Sequence, residues 1–281
     1  MTAAMDTRSL VYGPVPSRRL CRSLGVDHVP FKTCTYDRVY CQLGQTTDKT
    51  IERARWVEPC QVLDQVRARL DSRPDVVALA GSGEPTLNAV LGEVVSGIKA
   101  MTDVPVVVIT NGSLLGRPDV QRELLEADIV LPSLDAVDEK MYRSVNRPHE
   151  SLTFEELVDG MAEFRTVYDG RIWLEIVLLD GITGTRPAVE KLAALAARIS
   201  PDEIQLNTVA RPPAEQAARP VPPDLLAEFA QAFVPQADVI AGAPEPHAEQ
   251  EATAADVLTL ISRRPCTVAD VAAGLGIHQN T

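Results

Sequence analysis

The chain has 281 residues, with 27 Lys and Arg against 39 Asp and Glu and a formal net charge of −12. That length accommodates one α/β barrel with a small appendix and a buried core. The acidic balance excludes a whole-surface nucleic-acid binder, because neutralising phosphates takes clustered Lys and Arg. Two local basic clusters stand out against it, Ser17-Arg18-Arg19 with Arg22, and Arg263-Arg264.

Hydrophobic residues make up 45% and charged residues 23%, and no run approaches the ~18 uninterrupted apolar residues of a membrane span. Residues 1–10 contain Asp6 and Arg8 and lack the apolar centre of a signal peptide. A cytoplasmic protein with no membrane partner is expected. Its five cysteines, an odd number, then read as thiols or metal ligands rather than a disulfide framework.

In chain order, a strand is expected near the first cysteines. A helix follows, with Val62, Val66 and Leu70 on one face. Apolar runs at 76–80, 104–110, 129–134, 172–179 and 204–209 read as strands buried on both faces, as in a parallel sheet. Between the later strands, Thr153 with Glu156 forms a capping-box pattern ahead of Leu157, Met161 and Phe164. Pro187 marks the first turn of a helix carrying Val189, Leu192 and Ile199. About six βα units result. No Gly-x-Gly-x-x-Gly follows the first strand, which favours a barrel or partial barrel over an open dinucleotide-binding sheet.

Two Pro-rich stretches punctuate the last third, 211–223 and 242–246, the second reading as a linker. Beyond it, a helix over about 252–263 and the pattern of 267–277 look like a helix-turn-helix that stops before a recognition helix is complete. The expected organisation is a barrel domain at 1–241, a linker at 242–250 and an incomplete, winged-helix-like module at 251–281. That module would make weak nucleic-acid contacts.

The segment from Tyr12 to Gly44 carries the most information. It contains Gly13-Pro14-Val15-Pro16-Ser17-Arg18-Arg19, Ser23-Leu24-Gly25-Val26-Asp27 and Lys32-Thr33-Cys34-Thr35-Tyr36-Asp37-Arg38-Val39-Tyr40-Cys41-Gln42-Leu43-Gly44. It resembles a group of radical S-adenosylmethionine (SAM) proteins related to the tRNA wyosine-synthesis enzymes, over about residues 10–215 and on into the terminal module. The resemblance implies a TIM-type (β/α)6 partial barrel whose first loop carries Cys-x3-Cys-x2-Cys. In that family three thiolates bind a [4Fe-4S] cluster, and its open iron takes the amino and carboxylate groups of SAM. An external electron donor then drives cleavage to a 5′-deoxyadenosyl radical.

Cys34 and Cys41 match the first and last cluster positions, and Arg38 stands at the middle one. A guanidinium cannot replace a thiolate ligand. Three alternatives stay open: a cluster on two cysteines with a substitute such as Asp37 or Cys21, a cluster-free SAM or nucleotide binder, and a sequence altered from an active parent. Cys60 and Cys266 read as inert helix or core residues.

By the same resemblance, Ser82, Gly83 and Glu84 in Gly81-Ser82-Gly83-Glu84-Pro85-Thr86 would contact the methionyl part of SAM, and Tyr40 would pack near adenine. Asn111, Glu175, Asn207 and Val209 would join the SAM site with Ser133 and Asp135, the last two toward the ribose or carboxylate. Each also reads as a turn, cap or packing residue. Asn146-Arg147-Pro148-His149 is a candidate phosphate contact. The substrate, RNA or a small molecule, does not follow from the fold. A regulatory SAM-binding protein is the alternative function, and an acid–base enzyme using Glu84 and Asp135 a more distant one.

Overall fold

The computed structural model describes residues 9–240 apart from 18 and 211, together with residues 257, 258, 261, 268, 271 and 272. The expected linker at 242–250 and nearly all of the expected terminal module lie outside the described residues, as do Arg18, Arg263, Arg264 and Cys266.

Strands β1 (Val11–Ser17) and β2 (Cys21–Val26) form an antiparallel hairpin. A two-residue parallel pair, β3 (Thr33–Cys34) and β4 (Asp48–Lys49), brackets the cysteine loop. Alternation follows: α1 (Pro59–Arg67), β5 (Val76–Leu79), α2 (Leu91–Met101), β6 (Val106–Ile109), α3 (Pro118–Leu124) and β7 (Ile129–Leu131). Next come α4 (Glu139–Met141), which runs into a π turn at Tyr142–Asn146, α5 (Phe154–Val167) and β8 (Arg171–Leu178). The series closes with α6 (Arg186–Ile199), β9 (Glu203–Thr208), α7 (Pro223–Ala230) and β10 (Asp238–Val239).

The main sheet runs in the order β1-β2-β5-β6-β7-β8-β9-β10 and is parallel from β2 onward. A mixed α/β fold on a parallel sheet is therefore present, with β1 and β10 as its edges. The expected strands are all there, β5, β6 and β7 shortened at their ends and β8 and β9 shifted one residue toward the N-terminus. Hairpin strand β1 was not expected, and Pro14 and Pro16 explain why: proline cannot donate to a ladder and is tolerated on an edge strand.

Each strand sorts its side chains onto two faces. Leu24, Val26, Val77, Leu79, Val106, Val108, Val130, Leu174, Ile176, Ile204 and Leu206 join the large core under the helices. On the opposite face, Leu20, Val76, Ala78, Val107, Ile129 and Leu131 form a smaller apolar layer with Trp173. Further toward the strands' C-terminal ends that face turns polar, with Glu175, Gln205 and Asn207 all buried.

Local chemistry accounts for the helices. Thr153 and Glu156 complete a reciprocal capping box at the start of α5, satisfying two otherwise orphaned donors. Pro187 occupies the first turn of α6, whose Val189, Leu192 and Ile199 are buried. Val62 and Val66 anchor α1, while Leu70 falls in the 3-10 turn beyond it.

Candidate functional site

The loops after β2 and β5 are stitched together by backbone and carboxylate bonds. Ser82 donates from its N–H to Asp27 Oδ1 at 3.1 Å and from its hydroxyl to Asp27 Oδ2 at 2.6 Å. The Lys32 N–H donates to Ser82 O at 2.7 Å and the Glu84 N–H to Thr33 O at 3.0 Å. Close approach makes Gly83 obligatory, since a Cβ there would sit 2.2 Å from Thr33 O.

Glu84 lies 2% exposed at the centre of this junction. Its Oε1 accepts from the Thr86 N–H at 3.1 Å, the Thr86 hydroxyl at 2.7 Å and the Thr110 hydroxyl at 2.6 Å, and its Oε2 accepts from the Asn111 N–H at 2.7 Å. Four protein donors thus surround a carboxylate that resemblance assigns to SAM. Asn111 Nδ2 in turn donates to Thr35 Oγ1 at 2.6 Å and lies 3.6 Å from Cys34 Sγ. Burial first, and the Glu84 charge second, push the Cys34 thiol up to about 11.

The cysteine loop is fixed from both sides. The Asp37 and Val39 N–H groups donate to carbonyls of the π turn, Asn146 O and Val145 O, each at 3.1 Å, and the Glu215 N–H donates to Val39 O at 2.9 Å. Turn bonds from the Cys41 N–H to Arg38 O and from the Gly44 N–H to Cys41 O, both 3.1 Å, close its far end. Asp37 Oδ1 is engaged by the Thr46 N–H at 2.8 Å. Cys21 is exposed and opens β2 at the end of the sheet opposite the cysteine loop. Its φ of 50° lies in the left-handed region that favours glycine. Neither Asp37 nor Cys21 is placed as a substitute ligand.

Arg38 occupies the middle of the loop. Its guanidinium lies over the rings of Tyr36 and Tyr40, 5.3 and 5.5 Å from their centroids, with Nη2 3.3 Å from Asp135 Oδ2. Burial works against its charge, but Tyr40, Asp135, Tyr36 and Cys34 together raise its pKa above the ordinary arginine value. Burial raises the Tyr36 and Tyr40 hydroxyls in the same surroundings. Asp135 is the hub: Oδ2 accepts from the Tyr40 hydroxyl at 2.5 Å and Asn146 Nδ2 at 3.1 Å, and Oδ1 from the Val177 N–H at 3.0 Å.

Ser133 bridges to Glu175 across β7 and β8. Glu175 Oε1 accepts from Asn207 Nδ2 at 3.1 Å and pairs with Arg19 Nη1 at 2.5 Å. Val209 and Tyr40 pack on one small apolar cluster with Val39, Val145 and Val177. The buried acceptors Gln205 Oε1 and Asn146 Oδ1 have no protein partner, so this polar face suits a ligand that brings N–H or O–H donors.

Arg19, Tyr36 and Asp27 were not among the expected site residues. Arg19 read as part of a basic surface cluster, yet it reaches inward to Glu175. Arg147, a candidate phosphate contact, is ion-paired with Glu215. Cys60 lies on helix α1, one of its two expected settings, and is exposed. Among the described residues no helix is long and apolar enough to cross a membrane.

Residues 29–193 match the family described as the radical SAM superfamily. The chain belongs to the radical SAM superfamily. A UPF0026 protein of Methanocaldococcus jannaschii is 38% identical over 216 residues, 75% of this chain and 67% of that protein. A Brachyspira hyodysenteriae protein named GTPase Obg is 33% identical over 265 residues, 92% of this chain but 39% of its own length. The radical SAM methyltransferase structure from Sphaerobacter thermophilus superposes with a TM-score of 0.56 at 20% identity, covering 74% of this chain and 63% of that one. The last comparison speaks to the fold alone. This radical SAM chain thus spans 67%, 39% and 63% of the lengths of these three proteins.

Membership brings SAM and a [4Fe-4S] cluster as the family's cofactors. A cluster that leaves one iron open takes three thiolates from one loop, and this loop offers Cys34 and Cys41 with a cationic, tyrosine-stacked Arg38 between them. Among the described residues no group of three or more His, Cys, Asp and Glu is arranged to hold a metal ion. The residues present do not fit the cluster.

Proposed function

We propose that this chain is a radical SAM protein that binds SAM at the C-terminal mouth of its parallel sheet, and that the family's reductive cleavage of SAM is held off by Arg38. The reading extends to a partial barrel over residues 1–241, a linker at 242–250 and a helix-turn-helix module at 251–281. Tyr40, Ser82, Gly83, Asn111, Ser133, Asp135, Glu175, Asn207 and Val209 line the SAM site, with Glu84 holding its floor.

The carrying observation is the engagement of Arg38. A permanent cation, stacked on Tyr36 and Tyr40 and facing Asp135, stands where a thiolate would complete the cluster. The rest of the site, from the glycine loop after β5 to the polar face of β8 and β9, keeps its ordered geometry. With Cys34 and Cys41 on the same loop, one substitution completes the ligand set. The cleavage chemistry, fed by an external electron donor, then acts on a substrate of the RNA or small-molecule class.

The test compares the chain as it stands with Arg38→Cys after identical anaerobic reconstitution. Iron content and 5′-deoxyadenosine formed from SAM and dithionite are measured for both. About four irons per chain and product from the variant alone is the expected result. A full iron complement and SAM cleavage by the Arg38 protein would overturn it.

A further inference from the structure

Arg38 has an edge that the protein leaves unused. Its Nε and Nη2 are buried and neither has a hydrogen-bond partner, although the side chain as a whole is 19% exposed. These two nitrogens point their N–H bonds in parallel from one edge of the guanidinium, within its plane, the fork that matches the two oxygens of a carboxylate. Tyr36 and Tyr40 place ring centroids 5.3 and 5.5 Å from the guanidinium carbon, and aromatic rings offer no oxygen acceptor to these two N–H groups.

Asp135 does not satisfy it. Nη2 lies 3.3 Å from Asp135 Oδ2, near enough to offset charge but oriented so that no hydrogen bond forms. The same carboxylate is already engaged by the Tyr40 hydroxyl, Asn146 Nδ2 and the Val177 N–H. Two buried charged donors without acceptors carry a substantial desolvation cost. An incoming oxyanion removes it.

Resting on the SAM-binding reading above, we infer that Arg38 is a carboxylate receptor that grips the α-carboxylate of an S-adenosyl amino acid side-on through Nε and Nη2. The guanidinium then does without iron what a cluster's open iron would do, holding the amino-acid end of the ligand while the nucleoside lies along the polar face.

Calorimetry on the full chain, purified without iron reconstitution, separates the possibilities with three probes: SAM, S-adenosylhomocysteine and 5′-methylthioadenosine, which has the nucleoside thioether but no carboxylate. The expected result is S-adenosylhomocysteine binding about tenfold or more tighter than 5′-methylthioadenosine, the scale of one charge-assisted bidentate contact. Arg38→Met abolishes that difference by weakening S-adenosylhomocysteine alone, and Arg38→Lys, with charge but no fork, restores part of it. Unchanged affinity for 5′-methylthioadenosine shows that the variants keep the site. Equal binding of S-adenosylhomocysteine by Arg38→Met and the parent chain would overturn the receptor role while leaving the SAM site standing. Binding of none of the three probes by the parent would overturn both.

Discussion

Glu84→Gln is an isosteric change that separates two roles for the carboxylate. The four donors on Glu84, at 2.6 to 3.1 Å, come from Thr86, Thr110 and Asn111. An amide offers one acceptor where the carboxylate offers two. In its better orientation the carbonyl keeps the Thr86 and Thr110 donors, and the amide NH2 confronts the buried Asn111 N–H. One charge-assisted bond is lost, worth about 1.5–3 kcal/mol, and a buried N–H is left unpaired at about 1–3 kcal/mol. Weakening of the other three bonds adds to this, while solvation of the rearranged loop offsets part of it, so the expected net loss is about 3 kcal/mol. Urea unfolding of the full chain at pH 7 reads it as a lower midpoint at unchanged slope. A carboxylate held in reserve for a ligand behaves oppositely: Glu84→Gln would keep the midpoint within about 0.5 kcal/mol and lose only SAM affinity. That outcome would refute the assignment of Glu84 to the floor of the site.

Two further predictions concern the supports of the same loop. Arg53, 7% exposed in its side chain, donates to Thr86 O at 2.8 Å and Asn88 O at 2.9 Å and pairs with Asp119 at 2.9 Å and Glu123 at 2.5 Å. Arg53→Met keeps much of the bulk but strands Thr86 O and unpairs Glu123, while Asp119 keeps Arg117 and Asn88 O keeps the Leu91 N–H. Both carboxylates are partly exposed and regain water, so the expected cost in urea unfolding is about 2–3 kcal/mol, with equal stability of variant and parent as the contrary result. Buried His28, whose Nε2 lies 3.3 Å from Pro85 O, has its pKa lowered from 6.5 to about 4 by desolvation. Because the unfolded chain takes up this proton first, the stability attributable to His28 is whole above pH 6.5 and lost as pH falls toward 4. The loss between pH 6.5 and 5 is about 2 kcal/mol. Urea midpoints for the parent should therefore fall more steeply over that interval than those of His28→Gln, and parallel curves would show that His28 is not the sensor.

The sequence reveals what is local and conceals what is not. The Thr153 and Glu156 cap is legible because four consecutive residues contain both partners, and β5, β6 and β7 are legible because strands covered on both faces are apolar throughout. The role of Glu84 is set by Thr110 and Asn111, 26 and 27 positions away, which no local pattern reports. Arg19 looks like a surface charge beside Arg18 and Arg22 until the β1–β2 hairpin aims it at Glu175. The resemblance singled out Asp135 but not its traffic of donors, since Asn146 enters through a π turn with no sequence signature of its own.

That traffic also decides whether Arg38→Cys is a fair experiment. When the guanidinium is removed, Asp135 still receives the Tyr40 hydroxyl, Asn146 Nδ2 and the Val177 N–H, so no buried carboxylate is abandoned. The loop itself is held by the N–H groups of Asp37, Val39, Cys41 and Gly44, none of which depends on the side chain at position 38. What the substitution forfeits is two ring contacts and an unaligned 3.3 Å ion pair, together roughly 1–3 kcal/mol, while it relieves two unpartnered N–H groups. The variant should fold. Its iron content then reports the ligand set, because the geometry that presents Cys34 and Cys41 is the same in both proteins.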